Sequence, residues 1–192
     1  MAAEDPANIV ITGNFHTYIA PLGSTMPTVP ASAGATNLDS AFALVGYSSV
    51  DGSSFVRDKT TEGIKVHQSF FDVRRVTTEL VTQLNVTFME WNQQVFKAAF
   101  GGGTFTESGG NVTYEFPDPD EVYEFALVVD GIDGTKFVRY AAPRVSTSGS
   151  ITVPLTQTAV AELPTVFDVL EPGGGVAPLK KITSGIAGLT SA

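Results

Sequence analysis

The chain of 192 residues contains no cysteine. Disulfides, reactive thiols and thiolate zinc sites are therefore excluded. Charged residues are also scarce, at 16% of the chain, where an average globular protein has about 25%. Thr, Ser, Gly and Asn take their place, which favours β-structure with short polar turns and surfaces that a partner covers.

Bases are the scarcer charge: 11 Lys and Arg stand against 20 Asp and Glu, so the formal net charge is −9. The clustered bases are only Arg74-Arg75 and Lys180-Lys181, whereas binding to nucleic acid by counterion release needs more extensive clusters. One stretch concentrates acids with no base among them: Glu115, Asp118, Asp120, Glu121, Glu124, Asp130 and Asp133. An acidic surface repels DNA. We therefore expect that DNA passes the protein without specific binding.

Long apolar runs are also missing. The run at 41–45 is among the longest, far short of the roughly 20 residues that span a bilayer. The amino terminus carries Glu4 and Asp5 where a signal peptide would be basic. We therefore expect folding in a cytoplasm and no membrane partner.

Catalytic motifs are absent as well. The only imidazoles are His16 and His67, and no Gly-x-Ser-x-Gly elbow accompanies them. The glycine triplets at 101–103 and 173–175 fit neither nucleotide-loop pattern. We predict that the chain is not an enzyme and needs no cofactor.

An acidic turn offers the one candidate for a metal. Asp118, Asp120 and Glu121 are carboxylates of the kind that bind calcium, but they lack the regular spacing of an EF-hand loop. A short charge cluster is usually solvated, so we predict no metal site here.

Alternating residues make 62–71 and 73–88 the longest predicted pair of strands. One face of the second strand ends with Leu84, Val86 and Phe88, and the other carries Gln83, Asn85 and Thr87. The three polar residues are therefore predicted to face water.

At Glu90 the apolar residues change from the two-residue spacing of a strand to the three- and four-residue spacing of a helix. A helix is therefore predicted over 90–100. Its apolar face predicts a set of core residues: Trp91, Val95, Phe96, Ala99 and Phe100. The glycines at 101–103 end the helix, because a left-handed C-terminal residue is easiest for glycine.

The remaining pattern predicts a mainly β chain of one domain, 8–171, between an N-terminal arm at 1–7 and a Gly-rich C-terminal arm at 172–192. A long connection is predicted at 21–40, with turns at 50–53 and 130–134. Further strands are predicted at 8–20, 41–48, 55–57, 104–107, 112–116, 122–129, 136–141, 150–155 and 159–170. The C-terminal arm is weakly amphipathic, with Ile182, Ile186 and Leu189 available to dock on another subunit.

Four blocks follow one another along the chain: 12–23, 38–48, 62–103 and 161–172. In this order they resemble the major tail tube proteins of long-tailed, siphovirus-type bacteriophages, closest to those of phages of actinobacteria. The Gly-rich segment after the last block departs from that pattern. The resemblance implies a β-sandwich or barrel-like fold with one α-helix, a long hairpin and flexible terminal arms.

The resemblance also implies a structural role. Six copies form a ring, rings stack into a tube in the virion tail, and the genome is ejected through it. The implied partners are further copies of the chain and other tail proteins such as the tape measure, tail tip and terminator. The alternative from another class is a monomeric β-sandwich binding or adhesion module of a virion, and a third is a jelly-roll hydrolase.

Two sets of residues are predicted to serve the assembly. Phe70 and Phe71 are adjacent in a predicted strand, so their side chains point to opposite faces and one of them needs cover from a neighbouring subunit. Arg74 and Arg75 are predicted to pair with acids across that interface. The water-facing set of Gln83, Asn85 and Thr87 is predicted to line the lumen.

Overall fold

The computed structural model describes residues 6–32, 35–158 and 160–186. Strands account for 50% of the described residues and helices for 6%, so the predicted mainly β fold is confirmed. A short 3-10 helix, Pro6–Asn8, precedes the first strand. The other elements are β1 (Asn14–Pro21), β2 (Ala43–Leu44), β3 (Ser48–Ile64), β4 (Arg74–Phe88), α1 (Gln93–Phe100), β5 (Thr104–Ser108), β6 (Asn111–Glu115), β7 (Glu124–Asp133), β8 (Lys136–Ser148), β9 (Leu163–Val169) and β10 (Lys180–Ser184).

One curled sheet of eight strands forms a half-barrel. Its order is β2-β1-β7-β8-β9-β4-β3, with β10 paired to β8 beside this path, and every pairing is antiparallel. The 13-residue strand β8 is long enough to pair with β10 near its start and with β9 near its end. A second, two-stranded sheet consists of β5 and β6.

The main core lies where α1 packs on β8 and β9. Its largest fully buried apolar side chains come from four strands, the helix and the residue after β2: Phe88, Phe125, Phe167, Leu127, Leu163, Val45, Val86, Val95 and Val145. The alternation predicted for β4 is confirmed, because Leu84, Val86 and Phe88 are buried while the residues between them are only half-buried. Among the described residues, no helix has the length and apolar character needed to cross a bilayer.

The helix is shorter than predicted and begins at Gln93. Asn92 is its N-cap, and the side-chain Oδ1 accepts a hydrogen bond from the Val95 amide at 2.9 Å. Because the chain at Trp91 is still outside the helix, the prediction of Trp91 as a core-helix residue is wrong: its side chain is 52% exposed. The predicted glycine stop is confirmed, with Gly101 in the left-handed conformation at φ 72°.

The long hairpin differs from its predicted boundaries. The predicted turn at 50–53 is instead a register shift inside the continuous strand β3, between Ser48 and Ser53. Phe70 and Phe71 lie in the loop that joins β3 to β4, so the prediction that they sit in a strand is wrong. The Ser69 hydroxyl accepts a hydrogen bond from the Phe71 amide at 3.1 Å, and this local bond holds a turn rather than an extended chain.

Three other segments also differ from the prediction. No strand forms at 150–155, and the predicted turn at 130–134 moves to Gly134 and Thr135 because β7 continues to Asp133. Within the predicted C-terminal arm, β10 pairs with β8, so Ile182 lies in the sheet of its own chain opposite Arg139. Leu189 lies outside the described residues.

Candidate assembly surface

The distal part of the β3–β4 hairpin extends beyond the rest of the sheet. Strand β9 pairs with β4 only from Gln83 to Phe88, so residues 57–82, here called the hairpin arm, have no third strand beside them. None of these residues is buried. Since a lone two-stranded ribbon is only marginally stable in water, the arm is a surface that gains from a partner.

Apolar side chains are concentrated on this arm. Seven large ones are exposed: Ile64, Val66, Phe70, Phe71, Val73, Val76 and Leu80. Phe70 is fully exposed and Phe71 is 82% exposed. Scattered apolar residues are normal on a protein surface, but a group of this size on one projection is typical of an interaction site.

The end of the arm, residues 65–75, is here called the tip. Its backbone is closed by a hydrogen bond from the Val73 amide to the Ile64 carbonyl at 3.0 Å. Gly63 leaves room for the Asp72 carboxylate, which would lie 2.2 Å from a Cβ at position 63. These local contacts hold the tip in shape before any partner binds, which lowers the entropic cost of docking.

The two arginines of the predicted interface lie at the tip. Arg75 Nε is 3.5 Å from Asp72 Oδ2 of the same chain, and its side chain is 72% exposed. Arg74 is exposed and forms no salt bridge within the described residues. An exposed pair such as Arg75–Asp72 contributes little to stability, so both guanidinium groups are available to acids of another molecule.

The residues predicted to line a lumen lie together on one face of β4. Gln83, Asn85 and Thr87 are half-buried and opposite in direction to the core residues of the strand. Gln83 Nε2 donates to Asp168 Oδ1 at 2.8 Å, and Asn85 Nδ2 donates to Ser54 Oγ at 3.1 Å. Cross-strand hydrogen bonds thus hold these amides flat on the sheet.

The other predicted core-helix residues divide between two clusters. Val95 and Ala99 are buried in the main core. Phe96 and Phe100 are half-buried and pack against aromatic rings of the small sheet and the residue after it, Phe105, Tyr114 and Phe116, with ring centroids 5.0–6.1 Å away. Phe100 also packs against the main core. The helix therefore joins the small sheet to the main body.

An ion pair that the sequence did not reveal is buried in the body. The Arg139 guanidinium donates to both Asp130 carboxylate oxygens at 2.6 Å, and the two side chains are 0% and 1% exposed. Two further N–H groups of the guanidinium donate to the carbonyls of Val29 and Thr36 in the long loop at 21–40. A sequence signal for this pair exists, since Asp130 and Arg139 lie on the two strands that flank a Gly-containing turn and face each other in the hairpin.

This ion pair helps to anchor the predicted connection at 21–40 to the sheet. Met26, Leu38 and Phe42 lie against a second cluster of buried residues that includes Tyr18 and Val128. Burial raises the pKa of the Tyr18 hydroxyl, and the nearby Asp130 carboxylate raises it further. The loop is thus fixed to the sheet by apolar contacts and by Arg139 together.

Two half-buried carboxylates have lowered pKa values. The Asn92 side chain and the Tyr47 amide donate to Glu90 and lower the pKa of its carboxyl. The Arg144 guanidinium donates to Glu124 at 2.7 and 2.8 Å and lowers the pKa of that carboxyl. Both contacts join separate segments, so they act as structural links.

The structure brings no set of reactive groups together in its described residues. His16 lies on β1 and His67 in the tip, and no group of three or more His, Asp or Glu residues that could hold a metal ion occurs in the described part. The arrangement offers an exposed apolar projection on a rigid β body. These features are typical of a β-rich protein that presents a surface to a partner.

The family comparison agrees with that class. The model of a family described as phage tail tube protein matches residues 1–184, and the chain belongs to this family. No curated protein sequence matches it. The protein is therefore a structural subunit of a phage tail tube and a component of the virion tail.

Proposed function

We propose that this protein assembles into hexameric rings that stack into the tube of a siphovirus-type tail, through which the genome is ejected. The affinity to phages of actinobacteria belongs to the same proposal. The tube in this proposal rests on membership in the tail tube protein family. One structural observation supports self-assembly: the hairpin arm at 57–82 has no buried residue and no third strand beside it. The hairpin arm is the main contact between copies.

The energetics of the arm favour burial by another copy. Exposed Phe70 and Phe71 would each contribute roughly 1.5–3 kcal/mol if fully covered. Arg74 and Arg75 then meet acids of the neighbour, because acids outnumber bases in the chain, 20 to 11. Rim charges of this kind mainly orient the partners and speed their encounter.

The charge of the assembled ring suits a conduit. Six copies of −9 give −54 per ring, and a field of that sign repels phosphate within a Debye length of about 8 Å at physiological salt. Gln83, Asn85 and Thr87 line the bore and offer neutral amide and hydroxyl groups. DNA then passes without specific binding. Tape measure, tail tip and terminator proteins are the partners at the inside and the ends of the tube.

Size exclusion and electron microscopy of the purified protein test this function. We expect annular particles with the mass of six chains of 20.2 kDa or longer hollow tubes. A monodisperse 20.2 kDa monomer at all concentrations would contradict self-assembly and favour the adhesion-module alternative.

A further inference from the structure

We infer that the tip of one copy docks head-to-tail into a groove on the next copy, between the C-terminal end of α1 and the turn at 117–122. This inference rests on the proposed self-assembly and names the surface that receives the arm. The groove has a volume of about 500 Å³. Its lining residues that matter here are Phe100, Phe116, Asp118, Glu121, Val122 and Tyr123.

The groove combines an apolar floor with an acidic rim. Phe116 is 65% exposed and Val122 is 73% exposed, so apolar surface is left open to solvent beside the half-buried ring of Tyr123. Asp118 and Glu121 are exposed at the rim, and the Glu121 amide donates to the Asp118 carbonyl at 2.9 Å. That bond closes the turn that holds both carboxylates.

The tip has the complementary composition. Residues 65–75 contain three bases and one acid, a net charge of +2 with histidine neutral, in a chain whose net charge is −9. Residues 115–121 contain four acids and no base. A basic projection that carries Phe70 and Phe71 thus matches an acidic groove that exposes aromatic surface, and such complementarity orients partners.

Strand register places the two surfaces toward opposite ends of the sheet. Gln83, Asp168, Ser146 and Glu124 form one row across β4, β9, β8 and β7. From this row β4 runs nine residues to Arg74, about 30 Å at ~3.4 Å per residue, before the tip begins.

The groove lies at the row or on its other side. Its residues Glu121 to Tyr123 precede Glu124 on β7, and its residues Thr147 and Gly149 follow Ser146 at the end of β8. Two different surfaces at opposite ends of one molecule make a heterologous contact, which repeats from copy to copy instead of closing on a pair. That symmetry is the one a tube requires.

Charge reversal tests the pairing. Asp118 and Glu121 are the acids that line the groove. In Arg74→Glu/Arg75→Glu and in Asp118→Lys/Glu121→Lys, positions 74 and 75 carry the same charge as positions 118 and 121, so we expect each double variant to raise the concentration needed for tube formation at least about tenfold. Combining all four changes in one chain restores opposite charges and should bring that concentration back to within about threefold of the wild type. Glu107→Lys, an exposed change outside the groove, is the control for altered net charge.

Cross-linking gives a second readout that does not depend on tube yield. Because the chain has no cysteine, Gln68→Cys in the tip and Asp120→Cys beside the groove place two unique thiols in one chain without removing a contact residue. A short bifunctional thiol cross-linker should produce a ladder of dimers, trimers and longer chains from assembled protein. Gln68→Cys combined with Ser40→Cys in the long loop is the control and should give no ladder.

The outcomes separate the inference from the function on which it rests. If wild-type protein forms no tube, the proposed function fails and the inference with it. If wild-type protein forms tubes but the groove reversal assembles normally, the four changes together do not restore assembly, or no tip-to-groove ladder appears, the tip docks elsewhere and only the inference is overturned. Unchanged urea midpoints show that the exposed substitutions leave the fold intact.

Discussion

Two long antiparallel hairpins of this chain differ in what lies beside them. The β7–β8 hairpin lies between β1 on one edge and β9 and β10 on the other. Phe125 to Asp130 are all buried, because one face of β7 packs in the main core and the other lies under the second cluster. In the β3–β4 hairpin, residues 57–82 contain no buried residue and have no third strand. The inner hairpin is therefore part of the core of the subunit, whereas the outer one carries exposed surface, which we propose serves assembly.

The same contrast holds for an ion pair in each hairpin. Asp130 and Arg139 are almost wholly buried and 2.6 Å apart, whereas Asp72 and Arg75 are 3.5 Å apart with Arg75 72% exposed. Breaking a buried pair leaves an uncompensated charge without water. An exposed pair is screened by solvent and contributes little.

The largest expected effect comes from Arg139→Met. This change leaves the Asp130 carboxylate buried without its partner and frees the long loop, so the free energy of unfolding should fall by about 3–5 kcal/mol. Urea denaturation of the unassembled subunit measures it. Arg75→Met is the matched control and should stay within about 0.5 kcal/mol of the wild type; a loss below about 1 kcal/mol for Arg139→Met would contradict this division.

Asn92→Ala tests a smaller link within the body. The alanine removes the N-cap of α1 and the hydrogen bond from Asn92 Nδ2 to the Val45 carbonyl at 2.7 Å. We expect a loss of about 1–2 kcal/mol in urea denaturation. Asn92→Ser keeps a capping oxygen without placing a carboxylate beside Glu90, so it should be less destabilising than alanine; equal losses would show that the cap contributes nothing.

Glu124 is expected to make the stability of the subunit depend on pH. The stability lost on protonation of this carboxylate should be smaller than the loss in Asn92→Ala. Because the bond from Arg144 lowers the pKa of its carboxyl in the folded state, its stabilising effect is full above the ordinary glutamate pKa. The effect is lost as the pH falls through the lowered pKa. Urea midpoints measured from pH 7 to pH 3 should therefore fall less steeply for Glu124→Gln than for the wild type, and parallel curves would contradict the assignment.

Phe70→Ser and Phe71→Ser should have the smallest effect on the subunit. Both residues are exposed, so the free energy of unfolding should stay within about 0.5 kcal/mol of the wild type. Tube formation, followed by light scattering, should nevertheless be lost in the double variant because the tip loses its apolar contacts. Normal assembly of that variant at wild-type stability would remove the tip from the interface.

The sequence predicted the features that depend on local pattern. The alternation of Leu84, Val86 and Phe88 and the glycine stop at Gly101 follow from neighbouring residues, and both are confirmed. The Asp130–Arg139 pair, which helps to anchor the long loop, depends on strand register and on loop carbonyls far along the chain.

The strand prediction at Phe70 and Phe71 failed for a related reason. Apolar residues beside a long alternating run resemble a strand, but a side-chain bond from Ser69 favours a turn. From the sequence, an assembly surface could be proposed only through this apolar pair and the adjacent Arg74 and Arg75, because contacts between copies leave no periodic trace within one chain.

Hydrogen–deuterium exchange on unassembled subunits and on tubes tests the central claim most directly, namely that the hairpin arm obtains its cover from another copy. The amides of 57–64 and 74–82 should exchange quickly in the subunit, since few buried contacts oppose local opening, and much more slowly in tubes. The amides of the β7–β8 hairpin should be protected equally in both states. Equal exchange of the arm in subunits and tubes would contradict the account.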